Sequence, residues 1–140
     1  MNITVIDGNG GMLGAQIIKG LACHFDALDI TAVGTNSAAT TAMIKAGAKN
    51  AATGENSVIV ACRKADIIVG PIGIVIADAL LGEITPKMAT AVGSANATRI
   101  LIPINRCENL VAGVPNLNTG ALIEDAVLKI KKVIDSKSKV

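Results

Sequence analysis

The chain has 140 residues, enough for one domain with a real core and too few for two ordinary ones. Hydrophobic residues make up 51% of it, yet Phe25 is the only aromatic, so the core must be built from Ile, Val, Leu, Met and Ala. That composition suits buried parallel strands flanked by helices, while a net charge of +2 without an aromatic stacking platform argues against a nucleic-acid binder. Strand and helix signals then alternate with short connections. A strand is expected near 2–6, then a Gly-rich turn and a helix near 11–22. Next come a strand near 29–33, a helix near 37–46 with Ser37 as its cap, a strand near 49–52 and a helix near 56–64. A strand near 66–70 leads to helices near 72–81 and 86–95, the second opened by Thr85 as cap and Pro86 at the first helical position. A strand near 99–104 follows, with a short sixth strand as an option at 109–112. The last helix, near 119–135, starts at Asn118 or Thr119. It carries Leu122, Ile123, Ala126, Val127, Ile130, Val133 and Ile134 on one stripe, opposite Glu124, Asp125, Lys129, Lys131 and Lys132.

Alternation of this kind describes an α/β domain. Right-handed crossovers give a doubly wound, mainly parallel sheet of five or six strands with helices on both faces, in the order 3-2-1-4-5. No repeat or linker divides the chain, so 1–140 reads as a single domain. Ligands of such sheets bind beyond the carboxyl ends of the strands. The polar and Gly-rich clusters fall there: Asp7 to Gly14, Gly34-Thr35-Asn36, Thr53-Gly54-Glu55-Asn56, Gly70-Pro71-Ile72-Gly73 and Asn105-Arg106-Cys107.

The first cluster is the most informative. Ile3-Thr4-Val5-Ile6 runs into Asp7-Gly8-Asn9-Gly10-Gly11-Met12-Leu13-Gly14 and then a helix, so backbone amides without a Cβ in the way can meet a phosphate at a helix N-terminus. Glycines 8, 11 and 14 follow G-x-x-G-x-x-G, and Leu13 stands where the strict dinucleotide fingerprint has its third glycine. The alternative is a tight turn that needs glycine without any ligand. Asp7 is awkward beside a diphosphate, and capping of loop amides is its simplest role. After strand two no acidic residue awaits a ribose, only Thr35 and Asn36, which leaves NAD, NADP and a mononucleotide all open.

Several chemistries are absent. A chain without tyrosine excludes the Tyr-based mechanism of short-chain reductases. His24, the single histidine, belongs at the far end of helix one, away from the cleft. Cys23, Cys62 and Cys107 lack metal-ligand spacing, and the first two belong on apolar helix faces. The longest apolar stretch, Ile67 to Ala77, is broken by Gly70, Pro71 and Gly73 and falls short of the ~20 residues of a membrane span. With no signal peptide ahead of the first strand, a cytoplasmic protein is expected.

The Gly-rich turn is similar to that of NAD(P)-binding short-chain dehydrogenase-like proteins. Ala46 to Asn56 resembles their segment running through strand three to an acidic residue near adenine, which implies Glu55 and Asn56 at the base and Ile72 over the ring. The alternative for Asn56 is a helix cap. Val5 to Gly11, Ala65 to Ile74, Leu81 to Met88 and Leu101 to Cys107 together resemble an uncharacterised family of short bacterial proteins, a domain of unknown function. That resemblance implies a Rossmann-like fold and brings no catalytic residue.

The expectation is therefore a domain that binds an adenine nucleotide, NAD or NADP. Phosphates lie on Gly8, Asn9, Gly10, Gly11, Met12, Leu13 and Gly14, the ribose near Thr35 and Asn36, and the base near Glu55, Asn56 and Ile72. Gly70, Pro71 and Asn105 complete the edge. A homodimer or larger assembly is expected from the apolar composition. The rivals are an enzyme using Asp7, Glu83 or Arg106 on an anionic substrate, and a structural or partner-binding subunit.

Overall fold

A computed structural model of the chain describes residues 1–104, 109–115 and 117–139. Strands β1 (Asn2–Asp7), β2 (Asp29–Gly34), β3 (Asn50–Thr53), β4 (Ile67–Pro71) and β5 (Thr98–Ile102) alternate with helices α1 (Met12–His24), α2 (Ser37–Lys45), α3 (Glu55–Lys64), α4 (Pro86–Ser94) and α5 (Thr119–Ser138). All strands are parallel and ordered β3-β2-β1-β4-β5. This is the Rossmann-like arrangement expected from the alternation.

Side chains alternate across the strands and feed two cores. Ile3 and Val5 of β1, with Ile67 and Val69 of β4, pack against Ile17, Ile18 and Leu21 of α1, Met43 of α2, and Ile123, Ala126, Val127 and Ile130 of α5. Ile6, Val33 and Ile68 face the other way, onto Val58 and Cys62 of α3 and Met88, Ala89 and Val92 of α4. The predicted stripe of α5 is the buried one, with Leu122, Val133 and Ile134 at its margins. Burying each fully covered Ile or Leu contributes about 1.5–3 kcal/mol.

Caps set the helix starts. Thr85 Oγ1 accepts from Met88 N at 3.2 Å, with Pro86 at the first helical position, and Asn118 Oδ1 accepts from Ala121 N at 2.8 Å. The cap of α2 is Asn36, which accepts from Ala39 N at 2.9 Å, rather than Ser37, which is the first helical residue. Asn56 caps nothing, because α3 begins at Glu55 behind Gly54.

Three further expectations change. No sixth strand forms at 109–112, where the described backbone is irregular and turning and Leu110 is exposed. β5 stops at Ile102, before Pro103, which has no N–H to continue a ladder. The helix expected near 72–81 is a 3₁₀ turn, Ile72–Val75, followed by a coiled strap to Glu83. Asp78 (φ 64°), Leu80 and Leu81 (φ 56° each) are left-handed, which ends any right-handed helix. Such residues cost roughly 1–3 kcal/mol each. Burial of Ala79, Leu80 and Ile84 offsets this, at 5%, 5% and 0% exposure. The apolar spacing that reads as a helix is met here by a turn and strap that bury Ile74, Ala79 and Leu80 and leave Leu81 exposed.

The capping geometry at α4 predicts that Thr85→Ala lowers unfolding free energy by about 1 kcal/mol in urea titration, with the slope unchanged.

Candidate functional site

The carboxyl ends of β1, β2 and β3 are aligned, with Asp7 opposite Gly34 and Gly34 opposite Thr53. From β1 the chain winds outward to β2 and β3, then returns to β4 on the other side, so the topological switch point lies at β1 and β4. The Gly-rich turn stands at this point.

Most of its glycines answer to internal packing. A Cβ on Gly8 would lie 2.7 Å from Thr35 Oγ1 and 2.9 Å from Leu80 Cδ1. One on Gly14 would lie 2.6 Å from Met43 Sδ. Gly11 is left-handed (φ 74°) and its Cβ would be 2.6 Å from the Ala39 backbone. Gly10 differs: nothing lies within 4 Å of a Cβ there, and its φ is not left-handed. Gly70 is packed as closely, since a Cβ there would run into the Ile6 carbonyl.

The turn's amides divide in the same way. Asp7, 5% exposed, accepts from Gly8 N at 2.8 Å through Oδ1 and from Gly14 N at 2.7 Å through Oδ2. This is the capping role expected of it. Gly11 N donates to the Gly8 carbonyl at 2.9 Å, and Asn9 N donates to Glu83 Oε2 at 2.8 Å. Among the described residues, the Gly10 and Met12 amides have no protein acceptor. Desolvation raises the Asp7 pKa above its ordinary value near 3.8, and the Glu83 charge adds to this, while the Gly14, Gly8 and Leu13 amides pull it down.

Glu83 is a member of this site that the glycine motif does not announce. The strap carries it across the turn, where Oε1 accepts from Asn36 Nδ2 at 2.6 Å. Asn36 Nδ2 also donates to the Asn9 carbonyl at 2.9 Å. Asn36 thus joins β2, the turn and the strap while capping α2. Thr35 Oγ1, beside Gly8, is a buried atom with no hydrogen-bond partner.

The other expected residues are more scattered. Glu55 and Asn56 open α3, and no hydrogen bond among the described residues links them to the turn. Gly70 and Pro71 are buried at the end of β4, and Ile72, half-buried, starts the 3₁₀ turn. Asn105, Arg106 and Cys107 lie outside the described residues. Cys62 is buried and its thiol is pushed up to about 11 by desolvation, whereas Cys23 is exposed, contrary to the apolar face expected for it. Among the described residues no group of three or more His, Cys, Asp or Glu could hold a metal ion. No described helix is long and apolar enough to cross a membrane.

A concavity of about 450 Å³ lies away from the turn, along α3. Its floor holds Thr4, Thr31 and Asn50, in register on three neighbouring strands. Thr4 Oγ1 and Asn2 Oδ1 are buried there without partners. The sequence signal was available: polar residues at alternate positions of strands that a sealed sheet would fill with apolar ones.

A family model described as Domain of unknown function (DUF3842) matches residues 2–135. The chain belongs to this family. No curated protein matches the sequence. The four segments that carried the resemblance fall within the matched range, although the last reaches into residues outside those described. Two of them meet directly, since Glu83 of Leu81–Met88 accepts from Asn9 of Val5–Gly11.

Two tests follow from this geometry. Gly11→Ala should cost roughly 2–4 kcal/mol of stability, while Gly10→Ala should stay within about 0.5 kcal/mol, both by urea unfolding. For Asp7 the folded pKa lies above the unfolded one. Its contribution is therefore fully present below the unfolded value and is lost as pH rises through the folded value. The stability of the wild type relative to Asp7→Asn should fall as pH is raised from about 4. Parallel urea titrations across the acid range check this, and an advantage growing with pH contradicts it.

Proposed function

We propose that this chain binds an adenine nucleotide, NAD or NADP, at the carboxyl edge of the sheet. The observation that carries the reading is Gly10. It is exposed, no internal contact or left-handed φ demands a glycine there, and its amide and that of Met12 lack protein acceptors. Two unhindered amides at the start of a 13-residue helix, beside the switch point, suit a phosphate oxygen. Asp7 does not compete for that position, since both its oxygens are committed to the turn's own amides. In this reading the diphosphate lies over Gly10, Gly11 and Met12. The ribose lies towards Asn36, and the base lies on the side of Glu55, Asn56 and Ile72. A bound dinucleotide would supply hydride transfer, and nothing in the described residues assigns a proton donor to that chemistry.

A second reading is favoured by a different observation. The amides of Gly8, Asn9, Gly11 and Gly14 are all satisfied by protein groups. The turn is then wholly structural, and the chain is a partner-binding subunit. Exposed Leu81 and Leu110 would serve its contacts, a second copy of the chain included.

Equilibrium dialysis with NAD, NADP and ADP separates the two. A chain without Trp or Tyr absorbs almost nothing in the near ultraviolet, so bound nucleotide is measured directly. The wild type should bind, and Gly10→Val should lose at least about tenfold in affinity, roughly 1.4 kcal/mol, while remaining folded. Absence of binding by the wild type, or unchanged binding by Gly10→Val, overturns the nucleotide reading.

A further inference from the structure

The geometry points to Glu83 as the residue that reads the ribose and selects a free vicinal diol over a 2′-phosphate; this rests on the nucleotide reading above. Dinucleotide-binding sheets commonly hold the adenosine ribose on an acidic side chain at the end of the second strand. Here β2 ends in Gly34, Thr35 and Asn36, none of them acidic. A carboxylate is nevertheless delivered to that position, from the strap between β4 and α4, 47 residues away along the chain.

The delivery is rigid. Asp78 N donates to the Ile84 carbonyl at 2.7 Å, Ile84 N to the Ala79 carbonyl at 3.1 Å, and Glu83 N to the Leu80 carbonyl at 3.1 Å. Ala79, Leu80 and Ile84 are buried, while Glu83 itself is partly exposed. These bonds, nested between Asp78 and Ile84, hold the left-handed residues 78, 80 and 81 and fix the backbone from which Glu83 projects. At its end, Oε2 accepts from Asn9 N at 2.8 Å and Oε1 accepts from Asn36 Nδ2 at 2.6 Å. A carboxylate has about four acceptor sites. Two are used, and each oxygen retains capacity for one hydroxyl of a diol.

Charge sets the preference. The described residues include no ion pair that neutralises Glu83, and Asp7 lies close enough to feel its charge. Two hydroxyls donating to this carboxylate relieve it, whereas a phosphate in the same position meets like charge. The Asn36 side-chain amide, whose two N–H groups already go to Glu83 and to the Asn9 carbonyl, has no donor left to compensate.

The test compares dissociation constants of NAD, NADP, ADP and 2′-deoxy-ADP for the wild-type chain, then for Glu83→Gln. NAD should bind at least tenfold more tightly than NADP, and ADP severalfold more tightly than 2′-deoxy-ADP. Glu83→Gln should bring the NAD to NADP ratio close to one, with its unfolding midpoint measured alongside. If the wild type binds NADP as tightly as NAD, the assignment of Glu83 fails while nucleotide binding stands. The same holds if Glu83→Gln keeps the full preference. If the wild type binds none of the four, both the nucleotide reading and this inference fall.

Discussion

Asp7 sits at the end of the central strand and hydrogen-bonds forward across its own turn, one oxygen on the Gly8 amide and the other on the Gly14 amide. That clamp fixes where α1 begins. A helix starting there presses Gly11 against the Ala39 backbone and Gly14 against Met43, so α1 and α2 approach through glycines rather than side chains. Amide groups within the first turn of a helix need partners, and here a side chain from the preceding strand supplies the one for Gly14. Burying a carboxylate for this purpose costs desolvation, which is why its proton affinity rises despite the amides.

The clamp leaves the outer rim of the turn unfinished, and two distant segments complete it. Asn36 arrives from the end of β2 and Glu83 from the strap, meeting over Asn9. Contacts 27 and 74 residues apart in sequence thereby converge on one residue. A carboxylate and an amide are economical choices here, since they accept and donate in a small space. The result is a rim with fixed acceptors on one side and open amides on the other.

Much of this architecture was legible in the residues. Strand runs such as Ile67–Val69, the α5 stripe and the Thr85–Pro86 pair carry periodicity or local capping chemistry, and each stands where local rules put it. The strap was not legible. Residues 72–81 have apolar spacing compatible with a helix, and only tertiary burial of Leu80 and Ile84 stabilises left-handed backbone at non-glycine positions. Because Glu83 rides on that strap, its meeting with Asn9 and Asn36 was hidden as well. The glycine pattern was read for its ligand-binding meaning, yet Gly8, Gly11 and Gly14 are each required by a specific neighbouring atom. Distinguishing them from Gly10 takes coordinates, because no local rule tells a glycine pressed by its own fold from one left open. The cap of α2 moved by one residue for a simple reason: Asn36 is extended, as an N-cap must be, and Ser37 is already helical.

The two described cysteines sit in contrasting surroundings. Cys23 is exposed near the end of α1, while Cys62 lies in the layer between the sheet and the α3–α4 pair, its thiol held protonated by burial. An alkylating reagent has access to exposed Cys23 without any opening of the fold, and it reaches Cys62 when that layer opens. The protein therefore carries its own clock for local unfolding, positioned on the side of the sheet opposite α1, α2 and α5.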